Sequence, residues 1–157
     1  KFVSSRGKCK EIMEEFTIIV PTAFDKQHYQ GVVCLLAQLT TRCITLTPEM
    51  YHTLVEDPSS DLCLLVDNQA QVVGMLTLNT CMSPTGKRGW IEDVVVDSSQ
   101  RGKGYGKMLV EHAIEYARTL SPCTLMLTSN PTRIAANELY RASGFEPKIT
   151  NVYKMSL

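Results

Sequence analysis

The sequence predicts a mixed, β-rich α/β fold, on three observations. Short β-branched and aliphatic runs alternate with segments whose apolar residues recur at three- and four-residue steps. Turn residues separate almost every pair of these segments. A length of 157 residues gives about one domain, large enough to bury a single sizeable core. The predicted order is β-α-α-β-β-β-α-β-α-β-β, with no repeat or linker. Residues 1–15, polar and charged, read as an N-terminal arm, and residues 16–157 as a single domain.

The elements follow in order. Phe16-Thr17-Ile18-Ile19-Val20 is a first strand, stopped by Pro21. Asp25 caps a helix on which Tyr29, Val32, Val33, Leu36 and Leu39 form one apolar face. Thr47-Pro48-Glu49 supplies a cap, a first-turn proline and an acid for a second, short helix carrying Met50, Leu54 and Val55. The apolar run at 62–66 is a buried strand, and Asp67-Asn68-Gln69-Ala70 turns it into a hairpin with residues 72–78. Ser83-Pro84-Thr85-Gly86 breaks the chain before a strand at 90–96. Past a glycine-spaced turn, Leu109, Ala113, Ala117 and Leu120 share one face of a helix that Pro122 ends. Residues 124–128 form a further strand, and a helix from about 133 to 143 closes on Gly144. Two last strands are expected at 145–148 and 152–157.

Bulk properties narrow the function. Sixteen basic residues balance sixteen acidic ones, so no global field points to nucleic acid or an anionic membrane. Any bound anion must be gripped by a local cluster. No apolar run approaches the roughly 18 residues of a membrane span. The six cysteines are scattered without a C-x-x-C, and the three histidines are equally dispersed, so no metal site is expected and the cysteines read as reduced. The expected location is intracellular and soluble, cytoplasmic before a peroxisome-like organelle; Met155-Ser156-Leu157 is not the Ser-Lys-Leu address. The chain starts at Lys1, which leaves a removed leader open.

The most informative stretch runs from Trp90 to Lys107, an acid-bearing strand leading into a basic turn with glycines at 102, 104 and 106. Glycines at alternate positions let backbone N–H groups converge without Cβ obstruction, and the following helix begins with unpaired amides and a positive dipole end. Arg101, Lys103 and Lys107 add cationic charge, and Tyr105 lies within the turn. Two other phosphate loops are excluded by spacing. A dinucleotide fingerprint needs a small residue where Lys107 stands and an acid about 20 residues on, where Cys123 and Thr124 stand. A Walker loop needs a glycine at 101 and a hydroxyl at 108, where Arg101 and Met108 stand.

Arg101-x-x-Gly104-x-Gly106, within Gln-Arg-Gly-Lys-Gly-x-Gly, resembles the pyrophosphate and pantetheine loop of the GNAT acetyltransferases. The element order is similar too, over nearly the whole chain from Phe16. The resemblance implies a mostly antiparallel sheet flanked by about four helices and splayed at an acetyl-CoA site, between the strand ending near Val96 and the strand at 124–128. It implies acetyl-CoA as cosubstrate. It also implies a bulge that frees the amides of Val94, Val95 and Val96 for the thioester and pantetheine. Asn130 and Asn137 are candidates for the cofactor's amides, although asparagines at such positions usually satisfy local backbone.

Direct acetyl transfer needs a neutral amine, a polarised carbonyl and a proton for the leaving thiolate. Glu92 and Asp93 are the candidate bases. Successive strand residues point to opposite faces, so both acids reach one cleft only if a bulge re-aims one. Otherwise one carboxylate is a surface charge and the other caps, or pairs with Arg88 or Lys87. Tyr140 is the candidate acid, in Asn137-Glu138-Leu139-Tyr140-Arg141-Ala142-Ser143-Gly144-Phe145, which is similar to the GNAT asparagine, tyrosine and Gly-Phe pattern. Its phenol holds a proton at neutral pH. No cysteine is near the acid pair in sequence, which argues against a covalent intermediate.

Two segments resemble glucosamine-6-phosphate N-acetyltransferases: Leu39-Thr40-Thr41-Arg42-Cys43-Ile44-Thr45-Leu46-Thr47-Pro48-Glu49, and Gly86-Lys87-Arg88-Gly89-Trp90-Ile91-Glu92-Asp93-Val94-Val95-Val96. That likeness implies acetylation of glucosamine 6-phosphate on the way to UDP-N-acetylglucosamine, by a homodimer. A sugar 2-amine is less basic than lysine and suits a carboxylate base. Thr41, Arg42, Lys87 and Arg88 are the candidates for the 6-phosphate, with Glu92 and Asp93 on the sugar. The segment between residue 128 and Asn137 departs from that family: it is longer, lacks an acid after the strand, and its Asn130-x-x-Arg133-x-x-Ala136 resembles small-amine and aminoalkylphosphonate acetyltransferases. Lys154 also stands where that family often has arginine. The alternative of a different class is a non-catalytic acyl-CoA sensor. Glu92, Asp93 and Tyr140 together argue against it, since a sensor needs the phosphate cradle but no proton traffic.

Overall fold

A computed structural model describes residues 16–40 and 44–156. The expected arm and the phosphate candidates Thr41 and Arg42 fall outside the described residues. Among these residues, five strands form one sheet in sequence order: β1 (Phe16–Ile19), β2 (Ser60–Asp67), β3 (Val72–Ser83), β4 (Gly86–Val96) and β5 (Cys123–Leu127). The first three pairings are antiparallel and β4 with β5 is parallel. Among the described residues, four α-helices cover the sheet: α1 (Lys26–Leu39), α2 (Pro48–Glu56), α3 (Tyr105–Thr119) and α4 (Ile134–Ala142).

The helix starts follow from local chemistry. The Asp25 carboxylate accepts from the His28 amide at 2.8 Å, and the Thr47 hydroxyl accepts from the Met50 amide at 3.2 Å ahead of Pro48. Each such cap is worth about 1 kcal/mol. Strand alternation then divides the core in two. Leu62, Leu64 and Val66 of β2 cluster with Val32 and Leu35 of α1 and Tyr51 and Val55 of α2, whereas Cys63 and Leu65 cluster with Leu109, Val110 and Ala113 of α3. Burial on both faces is why residues 62–66 read as an unbroken apolar run. Leu64 and Leu65 are fully buried, each contributing about 2–3 kcal/mol of transfer free energy.

Two features of the sheet create the site. The parallel β4–β5 register runs from Lys87↔Cys123 to Ile91↔Leu127 and ends there, so the strands part beyond Ile91. The β3–β4 register shifts in the same place: Met75 pairs with Val95 and Thr77 with Glu92, leaving Asp93 and Val94 opposite Leu76 alone. This is a β-bulge.

Two expectations change. The β3–β4 hairpin is longer than read, because Asn79 to Ser83 continue the ladder onto Gly86 to Trp90 despite their polarity. Residues 145–156 form no strand, and Ile149, Val152, Tyr153 and Met155 are exposed. Their β-prone composition is real, but a strand needs a ladder partner, and the described residues pair none with them. Among the described residues, no helix is long and apolar enough to cross a membrane.

Candidate active site

The bulge re-aims the acid pair. Asp93 takes a left-handed φ of 53°, a strained conformation for a residue with a Cβ. Glu92 and Asp93 consequently line the same cavity, of about 270 Å³, together with Leu39, Thr40, Ile44, Ile91, Thr128, Arg133 and Tyr140. Partial desolvation pushes the Glu92 carboxyl above its ordinary value; a hydrogen bond with the Trp90 side chain opposes this and the Asp93 charge adds to it. Desolvation likewise raises Asp93. A carboxylate whose pKa is raised is a stronger base towards an amine proton.

A second cavity, of about 500 Å³, adjoins the first along the β4–β5 gap and is lined by Val94, Val95, Val96, Arg101, Gly102, Gly104, Tyr105 and Gly106 on one side and by α4 on the other. Gly102 and Gly104 have φ of 78° and 86°, which favours glycine at both, and no atom stands within 4 Å of where their Cβ would be. Gly104 is the N-cap of α3, so the first-turn amides of that helix open towards this cavity. The Arg101 guanidinium, held by its Nε to the Val96 carbonyl at 3.1 Å, supplies a cation. The Tyr105 ring is buried against Phe16, with centroids 4.5 Å apart, and anchors the turn to the core.

Gln38, at the end of α1, also lines this cavity. Its amide donates to the Asp97 carboxylate at 2.9 Å and accepts from the Ser98 amide at 2.8 Å. The end of α1 is thereby tied to the approach to the glycine turn.

Tyr140 is 6% exposed and lines both cavities. Burial raises its phenol pKa above the ordinary value, and the Arg133 charge opposes the shift. A phenol in this setting is protonated at neutral pH and positioned at the junction of the two cavities.

Several expected site residues are not brought in. Lys87 and Arg88 do not line the acid cavity. They stand five and four residues before Glu92 on a straight stretch of β4, roughly 13–17 Å away along the strand. Lys87 borders a separate depression with Thr80, Cys81, Met82 and Leu120, and Arg88 bonds the Thr85 hydroxyl at 2.9 Å. Lys103 is bonded to the Gln100 side chain at 2.7 Å and Lys107 pairs with Glu111 at 3.5 Å, and neither borders the cavities. The Asn130 side-chain oxygen and the Asn137 side-chain NH2 bond locally. The Asn130 side-chain oxygen accepts from the Thr132 amide and hydroxyl, while the Asn137 amide donates to the carbonyls of Asn130 and Arg133, both at 2.9 Å.

Gln38 and Thr128 line the cavities without being expected among the site residues, and Arg133, singled out in the sequence only through the Asn130-x-x-Arg133-x-x-Ala136 likeness, lines both. Thr128 follows the last residue of the parallel strand, where ligands gather in α/β sheets, a signal available from sequence. Gln38 carries none. Among the described residues, no group of three or more His, Cys, Asp or Glu is arranged to hold a metal ion.

The family model described as Acetyltransferase (GNAT) family matches residues 25–145. A protein of Oryza sativa subsp. japonica named "Probable glucosamine 6-phosphate N-acetyltransferase 2" is 28% identical over 132 residues, covering 77% of this chain and 77% of that protein. The crystal structure of glucosamine-6-phosphate N-acetyltransferase from Arabidopsis thaliana has a TM-score of 0.73 at 23% identity, covering 89% of this chain and 97% of that one. An aminoglycoside acetyltransferase from an uncultured soil metagenomic sample, in complex with sisomicin, has a TM-score of 0.80 at 16% identity, covering 93% and 99%. At such identities the two structures speak for the fold alone.

Proposed function

The chain belongs to the GNAT acetyltransferase family and is an acetyl-CoA-dependent N-acetyltransferase, and from that premise we propose that its acceptor is the 2-amine of glucosamine 6-phosphate. The observation that carries the reading is the convergence of Glu92 and Asp93 on one cavity wall beside the β4–β5 gap. The relative from rice, named for glucosamine 6-phosphate, supports it.

Acetyl-CoA supplies an acetyl thioester, and the larger cavity fits it. The open glycine turn, the start of α3 and Arg101 suit its pyrophosphate, and the parted edge of β4 suits an extended amide-bearing arm. In this mechanism Glu92 or Asp93 takes the amine proton, directly or through water. The amides of Val94 to Val96 that face the gap donate to the carbonyl oxygen where negative charge develops. The Tyr140 hydroxyl holds a proton and delivers it to the departing sulfur. The transfer is direct, with no acyl-cysteine. Cys81 and Cys123 support this, since neither lines the cavities that hold the acids and Tyr140.

We read residues 16–157 as one catalytic domain acting as an intracellular homodimer in amino-sugar synthesis. The exposed apolar residues Ile149, Val152, Tyr153 and Met155 support a covering partner. A second reading keeps acetyl-CoA and takes an aminoalkylphosphonate as acceptor; the turn from Asn130 to Arg133 at the cavity rim favours it.

The test is thiol release from acetyl-CoA with glucosamine 6-phosphate, glucosamine, 2-aminoethylphosphonate and a lysine peptide in parallel. Preference for glucosamine 6-phosphate is expected. Preference for the phosphonate moves the assignment to the second reading, and acetyl-CoA binding without turnover on any acceptor removes the sugar assignment.

A further inference from the structure

Among its described lining residues, the acid cavity carries one charged group that the mechanism above does not use. Among its described lining residues Arg133 is the only lysine or arginine, facing a wall that carries Glu92 and Asp93. Its guanidinium reaches the Val94 carbonyl at 3.5 Å, a long contact on the bulged strand, and Arg133 lines the cofactor cavity as well. Such a contact is weak enough to be exchanged for a better acceptor.

The backbone beneath Arg133 is built. The Arg133 amide donates to the Asn130 carbonyl at 3.0 Å, the Asn130 side chain braces Thr132, and Asn137, one turn into α4, ties down the carbonyls of both Asn130 and Arg133. Two asparagines thus fix a short turn whose one cationic side chain points at the acid cavity. Fixing the backbone lowers the ordering cost when the guanidinium takes a ligand.

Electrostatics selects what that ligand is. An acceptor amine suits the acid pair, but a phosphate or phosphonate on the same molecule is repelled by Glu92 and Asp93 and needs a cation in reach. A guanidinium offers a planar fork that matches such oxyanions. We propose that Arg133 is the specificity-determining residue that binds the anionic group of the acceptor, with Asn130 and Asn137 as its positioning residues. The inference rests on the acetyl-transfer reading of this cavity and not on which anionic amine is used.

The experiment compares wild type, R133Q, R133K and N137A on two matched acceptor pairs, glucosamine 6-phosphate with glucosamine and 2-aminoethylphosphonate with ethylamine. KM and kcat are measured at saturating acetyl-CoA, and binding of glucosamine 6-phosphate to the coenzyme A-saturated protein is measured by calorimetry. R133Q is expected to raise KM for the anionic member about 30-fold or more relative to KM for its neutral partner. R133K recovers part of the loss, and N137A shifts selectivity the same way by a smaller factor. Equal losses on both members of a pair, no loss on the anionic member, or a wild type that favours neutral amines and binds no glucosamine 6-phosphate each overturns the proposal. Turnover of glucosamine 6-phosphate with R133Q unimpaired sinks this inference and leaves the sugar assignment standing. An Arg133-dependent preference confined to the phosphonate does the reverse.

Discussion

Phe145 holds Tyr140 from two directions. Its amide donates to the Tyr140 carbonyl at 3.0 Å, and its ring meets the phenol ring edge-on, with centroids 6.2 Å apart and an interplanar angle of 74°. Between them Gly144, at φ 91°, makes the left-handed step, and its amide donates to the Arg141 carbonyl at 3.0 Å. This is the Schellman ending of α4, and its hydrophobic contact is the Tyr140–Phe145 pair. The Gly-Phe that follows the tyrosine is therefore part of what orients it.

Tyr140→Phe separates acid catalysis from packing, because the ring and its contact with Phe145 stay. The rate constant is expected to fall about 100-fold with acetyl-CoA affinity kept, as read by steady-state kinetics and cofactor titration. Unchanged turnover would remove the phenol from the mechanism.

Gly144→Ala tests the cap. The left-handed φ costs a residue with a Cβ about 1–2 kcal/mol, and no atom lies within 4 Å to add a clash. Urea unfolding should report that loss, and kcat should fall with it as the Tyr140 ring loosens. A neutral effect on both would mean the ring is held by other contacts.

The acid pair predicts a pH profile. Both carboxyls are raised by desolvation, so the acid limb of kcat/KM should lie above the ordinary carboxylate range, with rate lost as pH falls and the base is protonated. The folding linkage has the opposite sign. A carboxyl raised in the native state costs stability once ionised; the cost is present above its native pKa and relieved below its unfolded one. Asp93→Asn should therefore leave the protein at least as heat-stable at neutral pH while lowering its rate. A lower melting temperature would show that the ionised carboxylate stabilises the fold.

The thiols should sort by position. Burial pushes the Cys63 thiol up to about 12, and it is 2% exposed, whereas Cys34 and Cys81 are exposed. A thiol reagent should modify the exposed pair in the native protein and reach Cys63 only on unfolding. Alkylating Cys81 should leave turnover intact, since it borders a depression remote from Glu92. Inactivation that tracks Cys81 would reopen a covalent route.

What was legible in the sequence was local. The glycine turn, Tyr140 with its Gly-Phe and the capped starts of α1 and α2 each declare themselves within a few neighbouring residues. The meeting of Glu92 and Asp93 was legible only as a condition, because the bulge exists through β4's pairing with β3 and not through β4 alone. Lys87 and Arg88 mislead for a related reason: four residues bring side chains together on a helix and separate them on a strand. Asn130 and Asn137 carry the family's spacing, yet the Asn130 side-chain oxygen and the Asn137 side-chain NH2 are taken up by the turn that presents Arg133. The C-terminal residues have strand composition without a strand, since composition cannot supply a partner.

The two-against-one count at Asp93 and Val94 has a consequence for how this protein tolerates change over generations. A substitution there alters one side chain, but losing one residue would restore an even ladder and turn the acids to opposite faces. Lineages can thus exchange side chains along β4 while the number of residues between Ile91 and Val95 stays invariant. A search for working descendants should find variation in spelling at this point and almost none in length.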